Sequence, residues 1–240
     1  MRFPTPLIRG TLERRYKRFL ADVSVDEGTV VAHCANSGSM LGVKEPGSEV
    51  WLSRSANPGR KLAFTWELIR VGETLVGINT AHPNALVAEA VAGGRIPELA
   101  GYDEIRREVA YGVNSRIDLL LKGAGRPDCY VEVKNVTLKR GTGLDRTAEF
   151  PDAVTTRGAK HLEELTSMVS QGRRAVMVYL VQRMDCERVS IAADIDPAYD
   201  SALRKAIAKG VEAICYSCTL DTLGIAVDGP LPLVLRARAP

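Results

Sequence analysis

Two apolar segments and the turn between them decide the fold of the second half of the chain. The first segment is Arg116-Ile117-Asp118-Leu119-Leu120-Leu121, and the second is Cys129-Tyr130-Val131-Glu132-Val133-Lys134. Residues 122–128 join them and are polar, with two glycines and a proline. Short apolar runs on both sides of such a segment predict a β-hairpin.

This hairpin brings three ionisable side chains together. Side chains two residues apart in a strand share a face, so Glu132 and Lys134 project to the same side. If the hairpin is symmetric about Gly125, Asp118 lies directly opposite Glu132, with the two Cβ atoms about 5 Å apart. The hairpin therefore predicts a pair of facing carboxylates with a lysine beside them.

Facing carboxylates destabilise a sheet unless something neutralises them. A divalent cation would do so, and hard oxygen ligands suit Mg²⁺ or Mn²⁺. Lys134 could then orient the nucleophile and stabilise charge on a phosphate that is being transferred. The predicted catalytic set is Asp118, Glu132 and Lys134, for cleavage of a phosphodiester. The spacing alone favours an ion pair among the three on an exposed sheet face, because short motifs match by accident.

The surrounding pattern predicts an α/β domain. The character of the chain changes at His82-Pro83-Asn84, where Pro83 opens a helix that ends at Gly93-Gly94. We therefore expect two domains, residues 1–81 and 82–240. Further helices are predicted at residues 157–170 and 196–210, the second of them capped by Asp196-Pro197. They alternate with strand-like segments at residues 108–111, 116–121, 129–136, 175–182 and 213–217, which predicts a mixed sheet flanked by helices.

The first domain has the pattern of a small β-barrel. Short strand-like segments lie close together, with turn signals between them and little helix signal, at residues 7–11, 19–25, 30–34, 50–53, 63–71 and 74–79. About five close-set strands suit a Greek-key barrel such as the OB-fold. A fragment of a β-sandwich is the alternative.

Composition limits the class of protein. At 240 residues with 45% apolar residues the chain can bury a core. The first 20 residues carry six cations, one anion and no apolar run, so they are not a signal peptide, and no later stretch is long enough to span a membrane. The five cysteines show no disulfide framework. We expect a cytoplasmic protein whose basic N-terminus could follow a phosphate backbone.

Several segments carry a family resemblance. The Asp-x(13)-Glu-x-Lys pattern resembles the PD-(D/E)xK restriction-endonuclease-like superfamily, whose members are mostly Mg²⁺-dependent nucleases. The chain as a whole is similar to the bacterial sugar fermentation stimulation protein A family. The segments that carry this resemblance are residues 15–20, 33–40 (His-Cys-Ala-Asn-Ser-Gly-Ser-Met), 60–61, 65–67, Asn114-Ser115-Arg116-Ile117-Asp118, 129–138, 150–153 and 157–161.

The resemblance implies an OB-like domain joined to a nuclease-like one, DNA binding without sequence preference, and a possible influence on sugar-metabolism genes. It also implies a third acidic metal ligand on the preceding helix, for which Glu89 is the candidate and Glu108 the next. Cations on the N-terminal stretch, on the basic loop of residues 139–146 (which includes Gly143) and on the helix of residues 157–170 would contact DNA phosphates. These are Arg14, Arg15, Lys17, Arg18, Arg60, Lys61, Lys139, Arg140, Arg157, Lys160 and His161.

Three functions remain open from the sequence. The chain could be a DNA-binding protein with a working Mg²⁺ centre, a DNA-binding regulatory protein with a relic nuclease fold, or a metal-dependent enzyme acting on a small phosphorylated compound. No obligate protein partner is evident, and the oligomeric state is not encoded in any pattern we recognise.

Overall fold

The computed structural model describes residues 1–112, 115–142 and 144–235. Asn114, from the segment that leads to Asp118, and Gly143, from the basic loop, lie outside these residues. The described chain forms two domains built on separate sheets.

The first domain is a closed barrel. Its strands are β1 (Ile8–Tyr16), β2 (Leu20–Val25), β3 (Gly28–His33), β4 (Glu49–Arg54), β5 (Phe64–Val71) and β6 (Thr74–Gly77). β1 pairs antiparallel with β2 and β4, β2 with β3, and β4 with β5. A short parallel pairing of β3 with β5 closes the barrel, and β6 pairs antiparallel with β5 as a further strand. This arrangement confirms the OB-like barrel and excludes the sandwich fragment.

The second domain contains three α-helices, a short 3₁₀ helix (Pro97–Leu99) and nine strands among the described residues. They are α1 (Pro83–Ala92), β7 (Glu104–Tyr111), β8 (Ser115–Lys122), β9 (Cys129–Val136), β10 (Thr147–Phe150), α2 (Thr156–Ser170), β11 (Arg174–Val181), β12 (Arg188–Ile191), α3 (Pro197–Ala208), β13 (Glu212–Leu220), β14 (Ile225–Leu231) and β15 (Leu233–Val234). The main sheet has the order β14-β13-β11-β9-β8-β7. β9, β11 and β13 are parallel, whereas β7, β8 and β14 are antiparallel to their neighbours. The sheet is mixed, as predicted.

The helices cover both faces of this sheet. On one face α2 and α3 bury a core that includes Leu162, Tyr179 and Leu203. On the other face α1 packs against the sheet in a core that also contains Trp51 and Leu68 of the barrel. The two domains therefore share a hydrophobic core, and the barrel is held against the second domain at α1.

Several short elements carry no clear sequence signal. β10, β12 and β15 form a small parallel sheet. β14 is one of the two edge strands of the main sheet, and β7 is the other. β12 and β10 have four residues each and β15 has two, which is too short for an alternating pattern to emerge. All five cysteines are buried and free. Among the described residues, no helix is long and apolar enough to cross a membrane.

Candidate metal centre and nucleic-acid surface

Strands β8 and β9 form the predicted hairpin and set the two carboxylates side by side. Leu119 pairs with Val131, and the same register carried one residue further puts Asp118 opposite Glu132. The backbone N–H of Val133 donates to Asp118 Oδ2 at 2.7 Å, so the carboxylate of Asp118 lies against β9.

Glu132 is a buried carboxylate, only 2% exposed. Its Oε1 accepts hydrogen bonds from Lys134 Nζ at 2.6 Å and from the His161 ring. Its Oε2 is buried and has no hydrogen-bond partner among the residues that the structure describes. Burial by itself would raise the pKa of Glu132, but the His161 hydrogen bond and the charge of Lys134 together bring that pKa below its ordinary value. Glu132 is therefore held as an anion with one oxygen to spare.

Asp118 has the opposite shift. Burial, and then the neighbouring charge of Glu132, raise the pKa of Asp118 from 3.8 to about 6. The hydrogen bonds from Val133 N–H and from Asn84 Nδ2, which lies 2.7 Å from Oδ1, only partly oppose this rise. Two carboxylates that repel each other, one with an unpartnered buried oxygen, are a donor set that fits a divalent cation.

His161 holds Glu132 in place, and it does so from inside the fold. Its side chain is buried rather than on the solvated face of α2 that the helical spacing predicted. Arg157 Nε donates to His161 Nε2 at 3.2 Å. Nδ1 must then carry the ring proton, and it donates to Glu132. The ring of His161 bonds the carboxylate of Glu132 at the wall of the cleft, so its contact with a DNA phosphate stays a prediction.

Glu89 does not reach the two carboxylates. It is five residues from Asn84 on α1, about 140° around the helix axis. Asn84 faces Asp118, whereas the carboxylate of Glu89 is 64% exposed and lies 2.8 Å from the N-terminal ammonium of Met1. Glu89 lines a different cavity with Met1. Glu89 is therefore too far from the carboxylates to be the third ligand in this structure. The sequence predicted the helix but not which of its faces meets the hairpin.

Glu108 is better placed than Glu89. The pairings Arg107 with Leu119 and Val109 with Ile117 put Glu108, on β7, directly opposite Asp118 on β8. Asn84 Nδ2 donates to Glu108 Oε1 at 3.0 Å as well as to Asp118. Glu108 has a φ of +53°, which non-glycine residues rarely adopt. In the part of the chain that the structure describes, no three His, Cys, Asp or Glu side chains stand close enough to bind one ion.

The carboxylates open into a cleft of about 370 Å³ between the domains. The second domain contributes Asp118, Glu132, Lys134 and Arg157 to its wall, and the barrel contributes the loop after β3, at residues 36–38. That loop is fixed in place: Arg15 Nη2 donates to the carbonyl oxygens of Asn36 and Gly38 at 2.8 and 3.0 Å. Asp152 Oδ2 accepts from Met40 N–H at 2.7 Å across the domain boundary. The cleft therefore belongs to both domains.

The predicted phosphate contacts divide into two groups. Arg157 and His161 line the cleft, and Arg15 and Arg18 line a second cavity that adjoins it. The remaining ones line neither. Lys17, Arg60, Lys61 and Lys160 are exposed, with Arg60 near His33 and Lys160 within 3.6 Å of Glu164, and the exposed Arg14 is paired to Asp22 at 2.8 Å.

Lys139 and Arg140 are already committed to contacts within the protein. Arg140 bonds both oxygens of Glu149 and both of Asp194. Lys139 is 14% exposed and donates to the carbonyl of Gly141 at 3.1 Å. Both side chains thus bond to the second domain, and their predicted contact with DNA stays a prediction.

Two functional features were missed from the sequence. Asn84 was quoted only as part of a domain boundary, yet it is the α1 residue that bonds Asp118. The loop of residues 36–38 carried a family resemblance, but nothing in its composition indicated that it would form a wall of the cleft. A polar residue one position after a helix-opening proline is a signal that could have found Asn84.

The fold defines a class of protein. An OB-like barrel is joined to a restriction-endonuclease-like domain, and the Asp118, Glu132 and Lys134 cluster lies in the cleft between them. Two family models match: the "SfsA N-terminal OB domain" over residues 14–78 and the "Sugar fermentation stimulation protein RE domain" over residues 81–224. The chain belongs to the sugar fermentation stimulation protein family.

Relatives support this along the full length. The homolog from Rhodospirillum rubrum is 63% identical, covering 98% of this chain and 99% of its own. The homolog from Paramagnetospirillum magneticum is 64% identical, covering 99% and 100%. The solved structure of Pyrococcus furiosus SfsA in complex with Ca²⁺ is 25% identical, with a TM-score of 0.88 over 98% of this chain and 99% of that one.

Proposed function

We propose that this chain is a sequence-nonspecific DNA-binding protein whose interdomain cleft is a divalent-metal-dependent phosphodiesterase centre. The observation that carries the proposal is the pair of carboxylates, Asp118 and Glu132, recessed in a cleft with Lys134 bonded to Glu132. A relative has been solved with Ca²⁺, an ion that takes oxygen ligands as Mg²⁺ and Mn²⁺ do. We expect Mg²⁺ or Mn²⁺ to serve here.

The side chains would divide the work. Asp118 and Glu132 would hold the ion, which when bound neutralises phosphate charge and lowers the pKa of water. Lys134 would place its ammonium beside the scissile phosphate and stabilise the charge that develops there. His161 would keep Glu132 oriented. Arg157, at the rim of the cleft, would hold a neighbouring phosphate by a contact that does not depend on base sequence.

The contacts around Glu132 favour a second candidate function. Lys134 and His161 already satisfy one oxygen of Glu132, so the cluster also resembles an ion pair that persists without metal. A non-catalytic DNA-binding regulatory protein would keep these contacts. Such a role would be the route by which a family named for sugar fermentation acts on sugar-metabolism genes. The buried free cysteines support a cytoplasmic location for either function.

A cleavage assay separates the two candidates. Wild type and Lys134→Ala are incubated with single-stranded, duplex and branched DNA in Mn²⁺ or Mg²⁺, and cleavage and binding are measured side by side. We expect Lys134→Ala to lose rate and retain most of its affinity, because an interaction made chiefly in the transition state affects kcat. If the wild-type protein cuts none of these substrates, the phosphodiesterase function is excluded and the non-catalytic DNA-binding function takes its place. Equal cleavage by both proteins would show that Lys134 is only an ion-pair partner.

A salt titration tests the mode of binding. Contacts to phosphate release counterions, so affinity for duplex should fall with salt at a slope of about −0.9 per contact. A flat response, or affinity confined to one short sequence, would show that base readout dominates.

A further inference from the structure

A second cavity continues the metal cleft along the boundary between the domains. It has a volume of about 540 Å³ and is lined on the barrel side by Arg15, Arg18 and Lys44 and on the other side by residues 150–155. The residues shared by both cavities are Ser37, Gly38, Phe150, Asp152 and Thr155. We call the continuous channel the seam groove.

The charge of the seam groove away from the carboxylates is positive. Arg18 makes no side-chain hydrogen bond or ion pair among the described residues, so its guanidinium is available to a ligand. Lys44 lies beside it and donates to the carbonyl of Ser39 at 2.8 Å. The acidic residue that lines this cavity, Asp152, accepts a hydrogen bond from the backbone N–H of Met40. An anionic chain leaving the cleft in this direction would meet three cations and one carboxylate.

The turn between β1 and β2 carries an exposed aromatic residue next to Arg18 in the chain. Lys17 and Arg18 have φ values of +48° and +64°, in the left-handed region that residues with a Cβ rarely adopt. Arg15 Nε, which donates to the carbonyl of Arg18 at 3.1 Å, stabilises this conformation. The next residue, Phe19, is 46% exposed. Phe19 is not a lining residue of the groove, but it adjoins the groove through Arg18. Exposed aromatic rings along a basic groove are what proteins use to stack unpaired bases.

We propose that the seam groove binds single-stranded DNA and leads it to Asp118 and Glu132, with Arg18 on a phosphate and Phe19 stacked on a base. The inference rests on the proposed function for the reaction at the metal centre. Single strands are favoured over duplex for two reasons. Duplex DNA hides the faces of its bases, which are what Phe19 could bind, and the carboxylates are recessed, with Glu132 only 2% exposed.

Fluorescence anisotropy with the full-length protein in EDTA tests the groove apart from cleavage. The probes are a labelled oligothymidine about 16 nucleotides long, near the upper site size of one OB-fold, and a blunt duplex of the same length. The variants are Phe19→Ala and Arg18→Gln. The controls are Leu223→Ala, an exposed apolar residue of a different cavity, and Lys209→Gln, at the end of α3 and in neither part of the groove. Thermal unfolding checks that every variant is folded.

We expect wild type to bind the oligothymidine more tightly than the duplex. Phe19→Ala should weaken binding of the oligothymidine by roughly 5- to 100-fold, the range for loss of one stacked base. Arg18→Gln should reduce its salt slope by about 0.7, the value for one phosphate of a single strand, and Arg18→Lys should restore it. The two controls should bind as wild type does.

The proposal for the groove and the proposal for the metal centre can be refuted separately. Tighter binding to the blunt duplex, or both groove variants binding the oligothymidine as wild type does, overturns the groove even if the protein cuts DNA. If the binding pattern holds but wild type cuts nothing with Mn²⁺, the groove stands and the nuclease function falls.

Discussion

Replacing Asp118 with asparagine should stabilise the metal-free protein, although it removes a central residue of the site. The pKa of Asp118 is raised from 3.8 to about 6 by burial and by the charge of Glu132. A carboxyl whose folded pKa is raised binds its proton more tightly in the folded state. The stability of the folded state therefore falls as pH rises from about 4 to about 6, and the loss is complete above that window.

The size of the stabilisation by Asp118→Asn follows from the pKa shift of Asp118. About two pKa units correspond to about 3 kcal/mol of destabilisation at pH 7. The asparagine amide cannot ionise and so removes this penalty. It keeps one carbonyl oxygen where the carboxylate accepted from both Val133 N–H and Asn84, and the lost acceptor costs about 1.5 kcal/mol. The net gain is about 1 to 2 kcal/mol, which in a chain of this size raises Tm by roughly 2 to 8 °C.

Adding metal should reverse the order of the two melting temperatures, so that wild type melts above Asp118→Asn. An ion that binds only the folded state stabilises it by about 2.7 kcal/mol at a hundred times its Kd, and only wild type retains both carboxylates. Calorimetric melting of wild type and Asp118→Asn in EDTA and in Mg²⁺, at pH 5 and pH 7, measures both effects. Asp128→Asn is the matched control: Asp128 lies in the same hairpin, where it faces Lys122 and Arg173. It should respond to metal as wild type does.

Two results would refute the reasoning. If Asp118→Asn melts below wild type in EDTA at pH 7, the two carboxylates do not repel each other and the pair is not a cation site. If millimolar Mg²⁺ and Mn²⁺ leave the wild-type Tm unchanged, or raise that of Asp118→Asn equally, the ion binds elsewhere or not at all.

Two further substitutions test the neighbours of this pair. His161→Ala should lower the free energy of unfolding by about 1 to 3 kcal/mol, because a buried oxygen of Glu132 loses a donor, and should weaken metal binding by about 10- to 100-fold. Chemical denaturation and calorimetric titration measure these two changes, and an unchanged metal affinity would show that the histidine does not orient the ligand. Glu89→Gln should leave the calorimetric metal affinity as in wild type, since its carboxylate pairs with the N-terminus on another face of α1. A loss of affinity there would restore it as a ligand.

The hairpin was predictable because its physics is local. Strand alternation puts Glu132 and Lys134 on one face, and a turn centred on Gly125 fixes the partner of Glu132 without reference to the rest of the chain. The barrel was predictable for a related reason. Its strands follow one another closely, and most of them pair with a neighbour in sequence.

The side chains around the hairpin depend on packing that the sequence pattern does not contain. The helical period of α2 separates its charged residues from its apolar ones, and an isolated helix would leave His161 in water. In the fold, α2 lies over β9, and the ring of His161 reaches Glu132. Glu89 and Asn84 pose the same problem, because the helix was predicted but its rotation relative to the hairpin was not.

The close approach of the domains at Gly38 explains why the cleft could not be derived from either domain alone. A Cβ at this position would lie 3.1 Å from Asn36 Oδ1 and 3.3 Å from Asp152 Oδ2, so any side chain here would push these oxygens away by a few tenths of an ångström, and glycine favours the close approach of the loop to the second domain. Arg15 binds that loop from the barrel side, and Asp152 binds it from the other. Arg15 was predicted as a DNA contact from its charge alone. Its position indicates a different contribution, which is to hold one wall of the cleft over the carboxylates while the neighbouring Arg18 remains available to the strand.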